Sequence, residues 1–139
     1  MSLTYSEARA EIAEAFTTAW KNANPTFPIA YEDAAAPGAF TPWARFSLRH
    51  NRGEQEALAN PLGSRLFFRD GILLVQIFTP SGEGLTRSYD LAKVAADAFE
   101  GRKTPGGVWF RSVRIREVGP DGNWYQLNVT ADFQYNEVK

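Results

Sequence analysis

The chain has no cysteine. That excludes disulfides, thiolate metal sites and a cysteine nucleophile, and it agrees with a reducing compartment. Histidine occurs once, at His50, and the sequence places no nucleophile and orienting acid around it. A lone strand histidine of this kind reads as structural or solvated. Charge of one sign is lacking too: 15 basic against 16 acidic residues leave a net −1, so nothing draws the chain globally to nucleic acid or anionic membrane. Long apolar runs are missing. The most apolar stretch, Ile72–Phe78, is far too short to span a bilayer and reads as a buried strand. The start, Met1-Ser2-Leu3-Thr4-Tyr5, has neither the basic region nor the apolar run of a signal peptide.

What is present suits one domain, residues 1–139. A chain of this size buries about two-thirds of its unfolded surface and needs no covalent staple. Aromatic residues make up 14%, which predicts large rings in the core or at an interface.

Thr4 and Glu7 have capping-box spacing, so a helix is expected to start there. Ala8, Ile12, Ala15, Phe16, Ala19 and Trp20 then recur at helical spacing, and Asn22 with Asn24-Pro25 ends the run. Phe27–Tyr31 is expected as a short strand. Trp43–Asn51 alternates, with Ala44, Phe46 and Leu48 facing one way and Arg45, Ser47 and Arg49 the other. After a polar stretch and the turn Asn60-Pro61-Leu62-Gly63, Arg65–Phe78 returns as a long strand with a bulge or bend expected at Asp70-Gly71. Together these segments read as an extended hairpin whose tip reaches beyond the sheet.

Thr79–Gly84 turns into a second helix over Leu85–Phe99, with Leu91, Ala92, Ala95, Ala98 and Phe99 on its buried side and Gly101 as its C′ residue. Val108–Tyr135 is the clearest hairpin. Gly119-Pro120-Asp121-Gly122 is expected to close it, and Tyr125, Leu127, Val129, Ala131, Phe133 and Tyr135 mark one buried face. The expected fold is α+β: a mostly antiparallel sheet with two helices packed on it, in the order α-β-β-β-α-β-β, with one long protruding hairpin.

No pattern carries chemistry. Gly82-Glu83-Gly84 precedes a helix, but a phosphate loop needs Lys-Ser/Thr next and Leu85-Thr86 follows. The carboxylates Asp90, Asp97, Glu117 and Asp121 are scattered, and none pairs at a spacing that suggests a metal or an acid–base couple. Asn128-Val129-Thr130 matches a glycosylation acceptor without a secretory signal. The expectation is therefore a protein with no catalytic, cofactor-binding or metal-ligating residues, and not an enzyme.

Arg45, Arg49, Arg52, Arg65 and Arg69 cluster on the long hairpin around Phe67 and Phe68. Basic residues interleaved with aromatics bind single-stranded nucleic acid in some proteins. Here Glu54, Glu56 and Asp70 lie among them, so ion pairing across strands or between subunits is the expectation, not nucleic-acid binding. Trp43 and Trp124 fall on otherwise polar strand faces. Each is either an interface anchor or packed under a loop or helix. Trp43, Arg45, Arg49, Arg52, Arg65, Arg69 and Trp124 are the candidate interface residues.

Several stretches together resemble a family of phage tail terminator-like proteins. They are Leu3–Arg9, Pro42-Trp43-Ala44-Arg45, Val75–Gly84, Ala98-Phe99-Glu100-Gly101, Thr104–Phe110 and Glu117–Gly122. The resemblance covers nearly the whole chain but lies in turns and strands, not in catalytic motifs. It implies a structural virion protein, assembled in the host bacterial cytoplasm and located in the virion tail. Such proteins are thought to form a ring, usually a hexamer, that caps the head-proximal end of the tail tube. The ring stops tube polymerisation and offers a head-joining surface. The implied partners are further copies of the chain, the major tail tube protein and the head–tail connector, with no membrane and no cofactor. Related ring proteins that close the head or complete the tail share this order of elements, so they remain an alternative. A small-molecule-binding host domain is the other; it requires a concave pocket with convergent polar groups.

Overall fold

A computed structural model describes residues 2–32, 35–37, 40–55 and 61–139, apart from the side chain of Arg52. The elements are α1 (Tyr5–Ala23), β1 (Ile29–Ala30), β2 (Trp43–Gln55), β3 (Leu66–Pro80), α2 (Leu85–Asp97), β4 (Trp109–Asp121) and β5 (Trp124–Val138). The expected order α-β-β-β-α-β-β is the observed one. The strands form a five-stranded sheet, β1-β2-β3-β5-β4, antiparallel throughout except for the short β1–β2 pair.

Local chemistry accounts for the helix limits. The Thr4 hydroxyl accepts from the Glu7 N–H while the Glu7 carboxylate accepts from the Thr4 N–H, so two orphan donors are satisfied at the start of α1. These bonds hold the Glu7 carboxyl below its ordinary range. At the far end of α2, Gly101 takes φ +71° and the Arg102 guanidinium donates to the Asp97 carbonyl.

Both helices lie on one face of the sheet. Ala8, Ile12, Phe16 and Trp20 of α1 and Leu91, Ala92 and Ala95 of α2 meet Ala44, Phe46, Leu73, Val75, Ile77, Leu127, Val129 and Phe133 from the strands. Phe16 ties the layers together: its ring stacks on Phe46 at 5.4 Å and on Phe99 at 6.5 Å. The alanines of α2 bring its backbone close to the sheet.

The long hairpin is β2–β3; residues 56–60 between its strands lie outside the described residues. The irregularity expected at Asp70-Gly71 falls on the facing strand instead. β3 runs unbroken while β2 bulges between His50 and Arg52, opposite that dipeptide. Gly71 is needed there for space. A Cβ would sit 2.2 Å from the Arg49 carbonyl oxygen and 2.4 Å from the Phe133 ring.

The final hairpin closes two residues later than the sequence predicts. Asp121 pairs with Trp124, so Gly122-Asn123 is the turn, with Gly122 at φ +61° in its first central position. Pro120 stays in β4. This is possible because β4 is an edge strand, where a missing N–H costs no ladder bond.

Candidate interface surfaces

One face of the sheet carries the helices; the other carries none. Along β2 the residues on the helix-free face are Trp43, Arg45, Ser47 and Arg49, and along β5 they run from Trp124 to Gln134 at every second position. The sequence-predicted residues divide between these faces.

Trp43 is only 5% exposed. It stacks on Phe78 at 4.3 Å and meets the edge of Trp124 at 6.3 Å; Trp124 in turn lies 4.8 Å from the exposed ring of Phe40. With Ala30 they form a second, small apolar cluster on the helix-free face. Trp43 thus packs under its neighbours, and its indole N–H finds no acceptor among the described residues. Arg45 lies over the Trp43 ring at 5.5 Å. Arg49 is exposed beside a shallow depression formed with Ile72, Leu74 and Thr130. Arg52 takes the strand position opposite Asp70. Trp43, Arg45 and Arg49 share one face with Trp124.

Arg65 and Arg69 do not join them. Arg65 sits before β3, where its backbone exchanges hydrogen bonds of 3.1 and 2.9 Å with Lys139. Arg69 shares its parity with Leu73, Val75 and Ile77, so it points to the helix side. Its guanidinium donates to Glu137 at 3.0 and 3.2 Å, between the rings of Tyr5 and Phe67, each 4.9 Å away. Both side chains are about nine-tenths buried. Arg69 is an internal ion-pair partner.

His50 is next to this pair. Its Nε2 lies 2.6 Å from the Tyr135 hydroxyl, and the edges of Tyr5 and Phe133 close around the ring. Burial, then the positive charges of Arg9 and Arg69, lowers the imidazole below its usual pKa; Asp70 opposes them. Burial likewise pushes the Tyr135 phenol up. The one hydroxyl beside the imidazole is that of Tyr135, which burial holds as the neutral phenol, consistent with a packing role.

Between α1 and α2 lies an open groove of about 730 Å³, bordered by Glu11, Glu14, Asn22, Asp97, Arg102 and Phe110. Glu11 is already committed there, accepting from the Gly106 N–H at 2.8 Å. No group of acidic or histidine side chains suited to a metal ion occurs among the described residues.

Sequence reasoning missed three residues on the helix-free face: Arg111, Arg114 and Arg116 of β4. Simple alternation puts Arg111 on the face opposite Arg114. The structure has a bulge between them, with Ser112 at φ +55°, the one non-glycine residue at positive φ among those described. The sequence contains no signal for that bulge.

No protein-family model matches this sequence, and no curated protein matches it. Solved structures match in fold. One, known only by a sequence label, superposes with a TM-score of 0.71 at 14% identity, covering 96% of both chains. Another belongs to the virion of a native gene transfer agent particle, with a TM-score of 0.55 at 13% identity over 94% of this chain and 98% of that one. At such identities the likeness establishes a shared fold across essentially the whole chain.

Proposed function

We propose that this chain is a structural protein of a phage-like virion, and that it caps the head-proximal end of a tail tube as a hexameric ring. The observation that carries the reading is the whole-length fold likeness to a chain of a gene transfer agent virion. The sequence resemblance to tail terminator-like proteins points the same way from independent features, the turn and strand motifs quoted above. Capping is a matter of surfaces: one end of the ring matches the tube, and the other refuses a further tube subunit through shape and unpaired charge. A ring needs heterologous contacts between different patches of one subunit. The chain offers bare edge at β4 on one side of the sheet, and on the other along β2 beyond the two-residue β1.

Light scattering behind size exclusion, over a wide concentration range and with purified tails added, tests this. A discrete species several times the 15.5 kDa chain mass, alone or on tails, is expected. A protein that stays monomeric and ignores tails refutes it. Binding to the head connector instead of the tail assigns a head-closing role.

A further inference from the structure

The helix-free face has an unusual charge layout. Its two flanking strands carry arginine: Arg45 and Arg49 on β2, and Arg111, Arg114 and Arg116 on β4. All but Arg45 are exposed. Between them, β3 and β5 present the apolar Ile72 and Leu74, the polar Gln76, Asn128 and Thr130, and the acids Asp70 and Asp132. At the usual strand spacing the two arginine rows stand about 14 Å apart.

The β4 row depends on a bulge. An unbroken β4 puts Arg111 on the other face from Arg114 and Arg116. One inserted residue resets the parity. In β4 the insertion holds Ser112 in a left-handed conformation that costs of order 1 kcal/mol for a non-glycine residue. The Arg114 guanidinium donates back to the Ser112 carbonyl at 2.5 Å. Strained backbone at a bulge that re-aims a side chain is a feature of functional surfaces.

We propose that this face is a docking surface for an acidic segment of a partner protein. Arginine is suited to such a contact because its planar fork holds a carboxylate through two parallel hydrogen bonds. The layout argues against the two other occupants. A second copy laid face to face sets these arginine rows against the same rows of its neighbour, which is repulsive, and joining copies at the sheet edges leaves the face itself uncovered. A nucleic acid backbone presents an unbroken run of negative charge. Here Asp132, 4.0 Å from Arg114, and Asp121 interrupt the basic surface, and the whole chain is net negative. Discrete carboxylates on a protein segment fit between such interruptions. The inference does not depend on the ring reading; a monomer can be tested equally well.

The probes are fluorescently labelled poly-L-glutamate and a mixed-sequence DNA duplex, each titrated with the full chain at physiological salt. Two variants remove arginines from separate strands, Arg114→Glu with Arg116→Glu, and Arg49→Glu. A control, Arg87→Glu with Lys93→Glu, makes the same charge change as the double variant on the exposed side of α2. Poly-L-glutamate is expected to bind the native chain and the control alike, and each face variant more weakly by roughly tenfold. Equal loss in the control, no loss in the face variants, or no binding by the native chain overturns the proposal. Tighter binding to the duplex overturns it in favour of a phosphate polymer. Circular dichroism on each variant confirms that it is folded.

Discussion

Glu137→Gln isolates what Arg69 does. The substitution keeps size and one hydrogen-bond acceptor but removes the charge opposite a guanidinium whose side chain is 7% exposed. Breaking a buried pair in this way costs roughly 3–5 kcal/mol, because the remaining charge stays desolvated. The rings of Tyr5 and Phe67, each 4.9 Å from the guanidinium, offset about 1 kcal/mol of that. The expected net loss is therefore about 2–4 kcal/mol, a large share of a domain's total stability. For this chain length each kcal/mol lowers Tm by about 3–4 °C, so the midpoint should fall by roughly 6–16 °C. Urea unfolding followed by tryptophan fluorescence, checked by far-ultraviolet circular dichroism, measures it. The double substitution Arg69→Met, Glu137→Leu removes both charges and should recover most of the loss. If Glu137→Gln changes stability by less than about 0.5 kcal/mol, the pair is screened by water as a surface pair is. Arg69 then faces solvent, and its assignment to the interior is wrong.

Three further outcomes follow from the packing. Gly71→Ala drives a methyl into the Arg49 carbonyl and the Phe133 ring and should cost about 1–3 kcal/mol or more in the same assay; a neutral result contradicts the close approach. Phe16→Ala removes the ring shared by Phe46 and Phe99 and should cost about 3–5 kcal/mol, whereas a loss below about 1 kcal/mol means the two layers do not meet through it. His50 is harder to protonate in the fold than its ordinary value of 6.5, so the unfolded chain takes up that proton first. Its contribution is thus complete above about pH 6.5 and is lost as pH falls below it. His50→Gln should flatten the decline in stability between about pH 7 and pH 5 relative to the native chain, and identical slopes refute the burial of the imidazole.

Much of the fold was legible because local chemistry and tertiary packing agree. Thr4 and Glu7 mark the start of α1, and the stripe from Ala8 to Trp20 is the buried one. The alternation from Tyr125 to Tyr135 is the helix-facing side of β5. The turn after β4 lies two residues beyond the position that the sequence suggests, because Pro120 and Gly122 both look like turn residues. Only the position of β4 at the sheet edge tells that proline can remain in the strand.

The surfaces were less legible, and bulges are the reason. Period-two reasoning holds only between insertions. It assigns Trp43, Arg45 and Arg49 to one face correctly. It fails across Ser112, so the arginines of β4 were not recognised as a row. Arg69 is a different case. Its parity with Val75 and Ile77 was visible in the sequence, but a charged residue near other arginines reads as surface until its partner, Glu137, is located 68 positions away.

Labelled protein added to growing tail tubes, imaged by electron microscopy, tests the central claim most directly. The account predicts label at one end of each tube and an arrest of further growth at that end. Label along the tube wall, or growth that continues unchanged with no label bound, contradicts it.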